Sequence, residues 1–226
     1  MKKIIFVLAV LIFGLDALAQ TPKQVLYNCY YKFSKLNDFK ADAAIHFDVP
    51  GLNMKQANGK ILYRKPNKFR IKLMGIAFLP KQNPFESING LADTNTYVAV
   101  SIGNEKINQV SLEIINIIPL NQGDLITGKF WVNRAENLIY QYELTTRSSG
   151  TVMINQKMGE QKIHALPDEI KFTFDVSKFK IPKGIAMDIN SAKKKSLDNR
   201  KTGTIIMNFA KFVLNKKIKD IEFTEE

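Results

Sequence analysis

Side chains that carry chemistry are scarce in this chain. Among 226 residues there is one cysteine, Cys29, two histidines, His46 and His164, and one tryptophan, Trp131. A single cysteine excludes an internal disulfide, so the core must hold by packing alone. The two histidines stand far apart, each inside a strand-like pattern. No H-x-x-x-H, C-x-x-C or carboxylate-rich run suggests a metal site. There is no G-x-S-x-G elbow and no glycine-rich phosphate loop. The acidic pair Asp168-Glu169 follows Leu166-Pro167 and reads as the start of a strand. A dispersed catalytic site needs no local motif, so a hydrolase stays the weakest of three functional readings. The chain is expected to be non-enzymatic and to carry no cofactor.

Long apolar runs are absent too, except at the N-terminus. Lys2 and Lys3 precede the apolar stretch Ile4–Leu15, and Ala17-Leu18-Ala19 forms an A-x-A cleavage site. This stretch is shorter than the ~20 residues a membrane-spanning helix requires. The sequence predicts a cleaved signal peptide over 1–19, Gln20 as the mature N-terminus, and a periplasmic protein. Tyr27 and Asn28 are too bulky and polar to precede a lipidated cysteine, so Cys29 reads as a small apolar residue on a helix face. Removing 1–19 leaves 207 of the 226 residues and lowers the net charge from +12 to +11. No repeat or linker divides this remainder, and 20–226 is expected to form a single domain.

The positive charge has several readings. Export argues against nucleic acid, and the lysines alternate with apolar residues along strands instead of gathering on one helix. A solvated outer sheet face is the first reading. An anionic membrane surface or an acidic partner comes second. The densest cluster, Lys193-Lys194-Lys195 with Arg200 and Lys201, reads as a solvated loop.

One helix is predicted, over Thr21–Leu36. Pro22 suits a first helical position, Thr21 an N-cap, and Val25, Leu26, Cys29, Tyr30, Phe33 and Leu36 form one apolar stripe. About ten strands follow. The clearest is Lys68–Leu73, where Phe69, Ile71 and Leu73 alternate with Lys68, Arg70 and Lys72. Others are Phe39–Val49, Thr96–Ile102, Ile107–Glu113 (after a turn at Gly103-Asn104), Phe130–Asn133, Leu138–Thr145, Thr151–Gln156, Glu160–His164, Glu169–Val176, Ile185–Ile189, Thr202–Leu214 and Ile218–Phe223. Many strands joined by short turns imply a mainly β fold with one large, curved antiparallel sheet. Such a sheet curls and encloses its apolar face. Two apolar stretches break the pattern. Gly75–Asn89 and Ile114–Leu120 are each expected to pack as core or to act as a plug or lid.

The hairpin GKILYRKPNKFRIKL, Gly59–Leu73, is preceded by a helix and by NDFKADAA, Asn37–Ala44. In this order, behind an export signal, these elements resemble the opening of LolA/LolB-type lipoprotein carriers. The resemblance is close in residues only over Leu36–Leu73, and in order of elements over most of the mature chain. It implies a half-open barrel of antiparallel strands closed by an N-terminal helix and short lid elements. It also implies an apolar concave face that holds lipoprotein acyl chains and a basic lid latch before the hairpin proline. Here the latch position is Lys65, with Arg64 beside it. A lysine in place of the family's arginine replaces a planar fork of donors with a point charge.

Alternation alone nominates the residues lining an acyl-chain cavity. From the first half of the chain these are Tyr63, Phe69, Ile71 and Leu73. From the second half they are Trp131, Tyr140, Tyr142, Phe172 and Phe174. The main expectation is a carrier or binder of lipid or lipidated protein in outer-membrane lipoprotein sorting. Its partners would be acyl chains and an inner- or outer-membrane protein. The alternative is an envelope interaction or sensing module on the same fold, with a filled interior.

Overall fold

A computed structural model describes residues 20–50, 56–73, 85–178 and 200–223. The predicted helix is α1, Pro22–Ser34, with Thr21 Oγ1 accepting from the Gln24 amide at 3.2 Å and Pro22 in the first turn. Its stripe buries Val25, Leu26, Cys29 and Phe33. The strands are β1 Asp38–Asp48, β2 Gln56–Arg64, β3 Lys68–Leu73, β4 Tyr97–Ile107, β5 Val110–Pro119, β6 Leu125–Asn133, β7 Leu138–Thr146, β8 Gly150–Met158, β9 Pro167–Asp175 and β10 Thr202–Leu214. One turn of helix, α2, covers Glu86–Asn89, and 3₁₀ turns cover Glu160–His164 and Asp220–Phe223.

All ten strands form one antiparallel sheet in the order β3-β2-β1-β10-β9-β8-β7-β6-β5-β4. The sheet is not closed into a barrel, since β3 and β4 are its two edges. Every neighbour in this order is also a neighbour in sequence, except for β1 with β10. That pair joins the beginning of the chain to its end. The join is reinforced by Asp38, which is 3% exposed. Its carbonyl accepts the Asn215 amide at 2.9 Å, and its carboxylate accepts the Lys216 and Lys217 amides at 3.0 and 3.1 Å. A buried carboxylate in that setting is satisfied by backbone donors.

Four sequence expectations are corrected. The β4–β5 turn lies at Asn108-Gln109, both with positive φ (47° and 67°), as a two-residue hairpin loop with matching twist demands. Gly103, at φ 142°, instead sits in a bulge where the register shifts. Ile114–Leu120 is not a plug: residues up to Pro119 belong to β5, paired with β4 and β6. Glu160–His164 is a 3₁₀ turn in place of a strand. Ile218–Phe223 adds no strand; its last four residues form another 3₁₀ turn. The expected strand Ile185–Ile189 and the Lys193–Lys195 cluster lie outside the described residues. Gly75–Asn89 is described only from Phe85 onward.

Phe85 is a central packing residue. It is 4% exposed, and its ring lies within 5.3–6.1 Å of those of Phe39, Phe33, Tyr63 and Phe69. One aromatic thereby joins α1, β1, β2 and β3. Truncating such a side chain costs about 3–5 kcal/mol. Phe85→Ala is therefore expected to lower stability by that amount, read as an earlier urea midpoint with an unchanged slope. A loss of less than about 1 kcal/mol would mean that Phe85 belongs to a detachable lid.

Candidate ligand-binding face

Alternation within each strand sends one set of side chains to the face that α1 covers. The strand register aligns these side chains into rows. One row runs Phe47, Ile205, Phe172, Ile154, Tyr142, Phe130, Ile115 across seven strands. The next runs Gly203, Phe174, Val152, Leu144, Gly128, Ile117, Ala99. Two glycines in the second row leave floor space that neighbouring rings take up. A Cβ on Gly203 would meet Phe174 Cε2 at 3.0 Å, and one on Gly128 would meet Phe130 Cε2 at 3.0 Å. At the other corner, Phe69 lies opposite Tyr63 and Tyr63 opposite Phe39, while Ile71 lies opposite Ile61.

The face is full in one part and open in another. Between α1 and β6–β8, a cavity of about 20 Å³ remains, lined among others by Cys29, Phe33, Phe85, Phe130, Tyr142 and Met158. That holds about one water. Away from α1, Phe69, Ile71, Phe172, Val176, Phe212 and Leu214 pack on the core while only partly buried. A second cleft, of about 660 Å³, lies along β1, β2, β3 and β10: Asp42, Ala44, Asn58, Lys60, Lys72, Asn208 and Ala210 border it from the face opposite α1, whereas Ala43, Gly59 and Phe209, which also border it, belong by alternation to the α1-covered face.

Most nominated residues reach the α1-covered face. Tyr63, Tyr142 and Phe174 are buried there, and Phe69, Ile71 and Phe172 are half-buried. Burial raises the Tyr142 phenol well above its ordinary range. Leu73 closes β3 opposite Gly59. Tyr140 sits at the β6–β7 register shift, and its hydroxyl donates to Glu136 Oε2 at 2.9 Å. Desolvation, reinforced by this carboxylate, raises the Tyr140 pKa to about 12.

Trp131 is misplaced by the sequence reading. It lies on the opposite face, opposite Ile114 and Gln141, and its indole Nε1 donates to Glu105 at 2.6 Å. Phe130 and Val132 point inward on either side of it. Among the described residues, the nominated latch residues contact the C-terminal segment and the end of α1. Arg64 donates to the Ile218 carbonyl at 2.7 Å and pairs with Asp220. Lys65 Nζ donates to the Ser34 carbonyl at the end of α1, at 3.3 Å.

Sequence reasoning missed the polar clasp that seats α1. Glu136, in the β6–β7 turn, gives its carbonyl to Lys32 Nζ at 2.8 Å and its carboxylate to Lys162 at 2.9 Å and to Tyr140. These bonds, Lys162 first, hold the Glu136 carboxyl below its ordinary pKa. A second missed pair is Glu113, 8% exposed, whose Oε2 lies 3.2 Å from Arg134 Nε; Arg134 also donates to the Gln20 carbonyl at 2.7 Å. The only sequence signal for either was an acidic residue near an otherwise apolar strand.

An open antiparallel sheet with a helix seated on its apolar face defines the class of protein: a half-open, barrel-like sandwich of sheet and helix. No protein-family profile matches the chain, and no curated protein matches its sequence. Solved structures do. A LolA-superfamily protein from Nitrosomonas europaea superposes with a TM-score of 0.55 at 13% identity, over 92% of this chain and 99% of that one. A DUF1329-family protein from Desulfovibrio piger gives 0.54 at 10%, over 91% and 98%. A domain named for outer-membrane lipoprotein sorting, from Vibrio parahaemolyticus, gives 0.54 at 8%, over 89% and 95%. The chain has the LolA-type fold. Among the described residues, no helix is long and apolar enough to cross a membrane, and no group of acidic, histidine and cysteine side chains is placed to hold a metal.

Two outcomes follow from these environments. Burial, at 1% exposure, pushes the Cys29 thiol up to about 12, so at pH 8 it is protonated and inaccessible. It is expected to stay unlabelled by a disulfide reagent in the native protein and to react fully in urea; rapid native labelling would show that α1 lifts from the sheet. For Glu136 the folded pKa is depressed, so its stabilisation is present above the ordinary glutamate value and is lost as pH falls through the folded one. The melting-temperature gap between wild type and Glu136→Gln should therefore narrow in acid. A gap that is constant with pH would show that charge plays no part.

Proposed function

We propose that this chain is a non-enzymatic envelope carrier or binder that shelters the acyl chains of a lipid or lipidated protein on its concave face. The observation that carries the reading is the half-buried apolar surface on β3, β9 and β10, left by a sheet that does not close. It holds Phe69, Ile71, Phe172 and Phe212. The fold supports it, and so does the export signal read from residues 1–19. Each buried CH₂ of a cargo chain contributes about 0.8 kcal/mol, so partial burial of a chain suffices for useful affinity. Cargo is handed on when a membrane partner offers a longer apolar groove.

A second reading has its own observation. The space beneath α1 is nearly filled, at about 20 Å³, as expected of an interaction module on this fold that carries nothing. One experiment separates the two. Native mass spectrometry of the protein purified from its own envelope, followed by organic extraction, is expected to show co-purified lipid or acylated peptide. Phe172→Glu should abolish that adduct while the protein stays folded. A clean apo mass, with no uptake of a fluorescent fatty-acyl probe, would overturn the carrier reading in favour of the module.

A further inference from the structure

The two edges of the sheet are finished differently. Edge β3 bears Lys68, Arg70 and Lys72, a charged border of the kind that deters strand pairing. Edge β4 has no lysine, arginine or proline from Tyr97 to Asn104. Among the described residues, the backbone of Val98–Ile107 makes no hydrogen bond to any element beyond β5. The bulge between Ser101 and Gly103 blunts the hairpin half of β4 and leaves the half before it regular.

An apolar strip runs beside this open edge. Val98, Val100 and Ile102 are 43–53% exposed. On β5, Ile118 lies opposite Val98, and Leu120 follows with its amide on the Thr96 carbonyl at 2.8 Å. Both are more than half exposed. Tyr97–Asn104 and Ile114–Leu120 contain no charged residue, in a chain of net charge +12. Two copies of so basic a chain repel each other over most approaches, and least where such neutral strips meet.

The strand is built to match itself. An antiparallel pair of identical strands has a two-fold axis, and the sequence about Ala99 reads the same in both directions, Val98-Ala99-Val100. Pairing about Ala99 sets Val98 of one copy opposite Val100 of the other on the outer face. Tyr97 then meets Ser101 on the inner face, so apolar side chains face apolar ones. The charges beyond the strip also match. Asp93 stands six residues before Ala99, and Lys106 seven after it, one of the seven being the extra residue of the bulge, Ile102. Both are exposed, and Lys106 has no ion-pair partner among the described residues. Glu105, between them, is turned to the Trp131 indole. The two-fold brings the Asp93 turn of each copy to the Lys106 end of the other. A foreign strand could satisfy the same backbone, but matched charges at both ends of one contact belong to self-pairing.

We infer that β4 is the interface of a two-fold homodimer, in which two copies join their sheets edge to edge, antiparallel about Ala99. About seven residues at ~3.4 Å each give a seam of roughly 24 Å. With the apolar strips alongside, this stays below the ~1,600 Å² of a standard interface, so the dimer is reversible and no tighter than micromolar. The inference does not depend on whether the concave face carries cargo.

The test is analytical ultracentrifugation of the full exported chain over a range of concentrations. A monomer–dimer equilibrium that stops at the dimer is expected. Val98→Lys/Val100→Lys sets like charges opposite each other and should raise the dissociation constant by roughly a hundredfold, with the circular dichroism spectrum unchanged. Lys106→Glu should weaken the dimer severalfold, and adding Asp93→Lys to it should restore the dimer. The register has its own readout. Under mild oxidation, a mixture of Val98→Cys and Val100→Cys proteins should form an intermolecular disulfide faster than either protein alone. Acyl-probe uptake per chain should be the same in Val98→Lys/Val100→Lys as in wild type, so failure here and failure of the carrier reading are read separately. A monomer at every concentration would overturn the inference, as would growth past the dimer or equal disulfide rates in the three samples. So would β4 amides that gain protection from hydrogen exchange only when an apolar peptide of another sequence is added.

Discussion

The sheet depends on the pairing of β1 with β10. Every other strand pairs with a neighbour in sequence, so the chain builds two local meanders, β1–β3 and β4–β10. These become one surface only when the first strand meets the last. That contact spans most of the chain and carries the largest loop-closure cost in the fold. Asp38 concentrates satisfaction at the join by collecting three backbone amides from 215–217. Asn37 adds a fourth link, its amide donating to Asn215 Oδ1 at 2.8 Å. Without that pairing, the rows of apolar side chains would break between Phe47 and Ile205, and no continuous concave face would exist.

Helix α1 bridges the same division. Phe33 reaches Tyr63 and Phe85 on the β1–β3 side, while Cys29 faces Phe130 and Tyr142 on the β6–β8 side. The helix is held at its ends by capping and by the Lys32–Glu136 bond, and along its length by burial. It therefore fills one part of the concave face, while Phe69, Ile71, Phe172 and Phe212 stay only partly buried. A protein that takes up apolar cargo needs that division. A face filled throughout has nothing to offer an acyl chain, and a face exposed throughout invites aggregation. The two sheet edges differ in a related way. Edge β3 bears Lys68, Arg70 and Lys72, which discourage strand pairing, whereas edge β4 exposes Val98, Val100 and Ile102.

Much of the architecture was legible because one face of most strands is wet. Phe172 and Phe174 against Lys171 and Thr173, or Phe69 and Ile71 against Arg70 and Lys72, mark their faces without help. Legibility failed where both faces are apolar. In Phe130-Trp131-Val132 all three residues are buried, so alternation cannot say which points inward, and Trp131 was assigned to the wrong side. Ile114–Ile118 hid a strand for the same reason: Ile115 and Ile117 enter the core while Ile118 is 53% exposed on the other face. The β4–β5 turn was missed because glycine is the stronger turn signal, yet Asn108-Gln109 adopts the positive φ angles. The Glu136 clasp and the acidic C-terminal turn join residues that only the folded chain brings together, and no local pattern announces them.

The central claim is that the open part of the concave face, not the β4 edge, receives apolar cargo. The most direct measurement is paramagnetic broadening of backbone amide signals by a nitroxide-labelled fatty acid. The account predicts broadening at Phe69, Ile71, Phe172 and Phe212, with the α1-covered residues Phe130 and Ile139 remaining sharp. Broadening confined to Val98, Val100 and Ile102, or none at all, would contradict it.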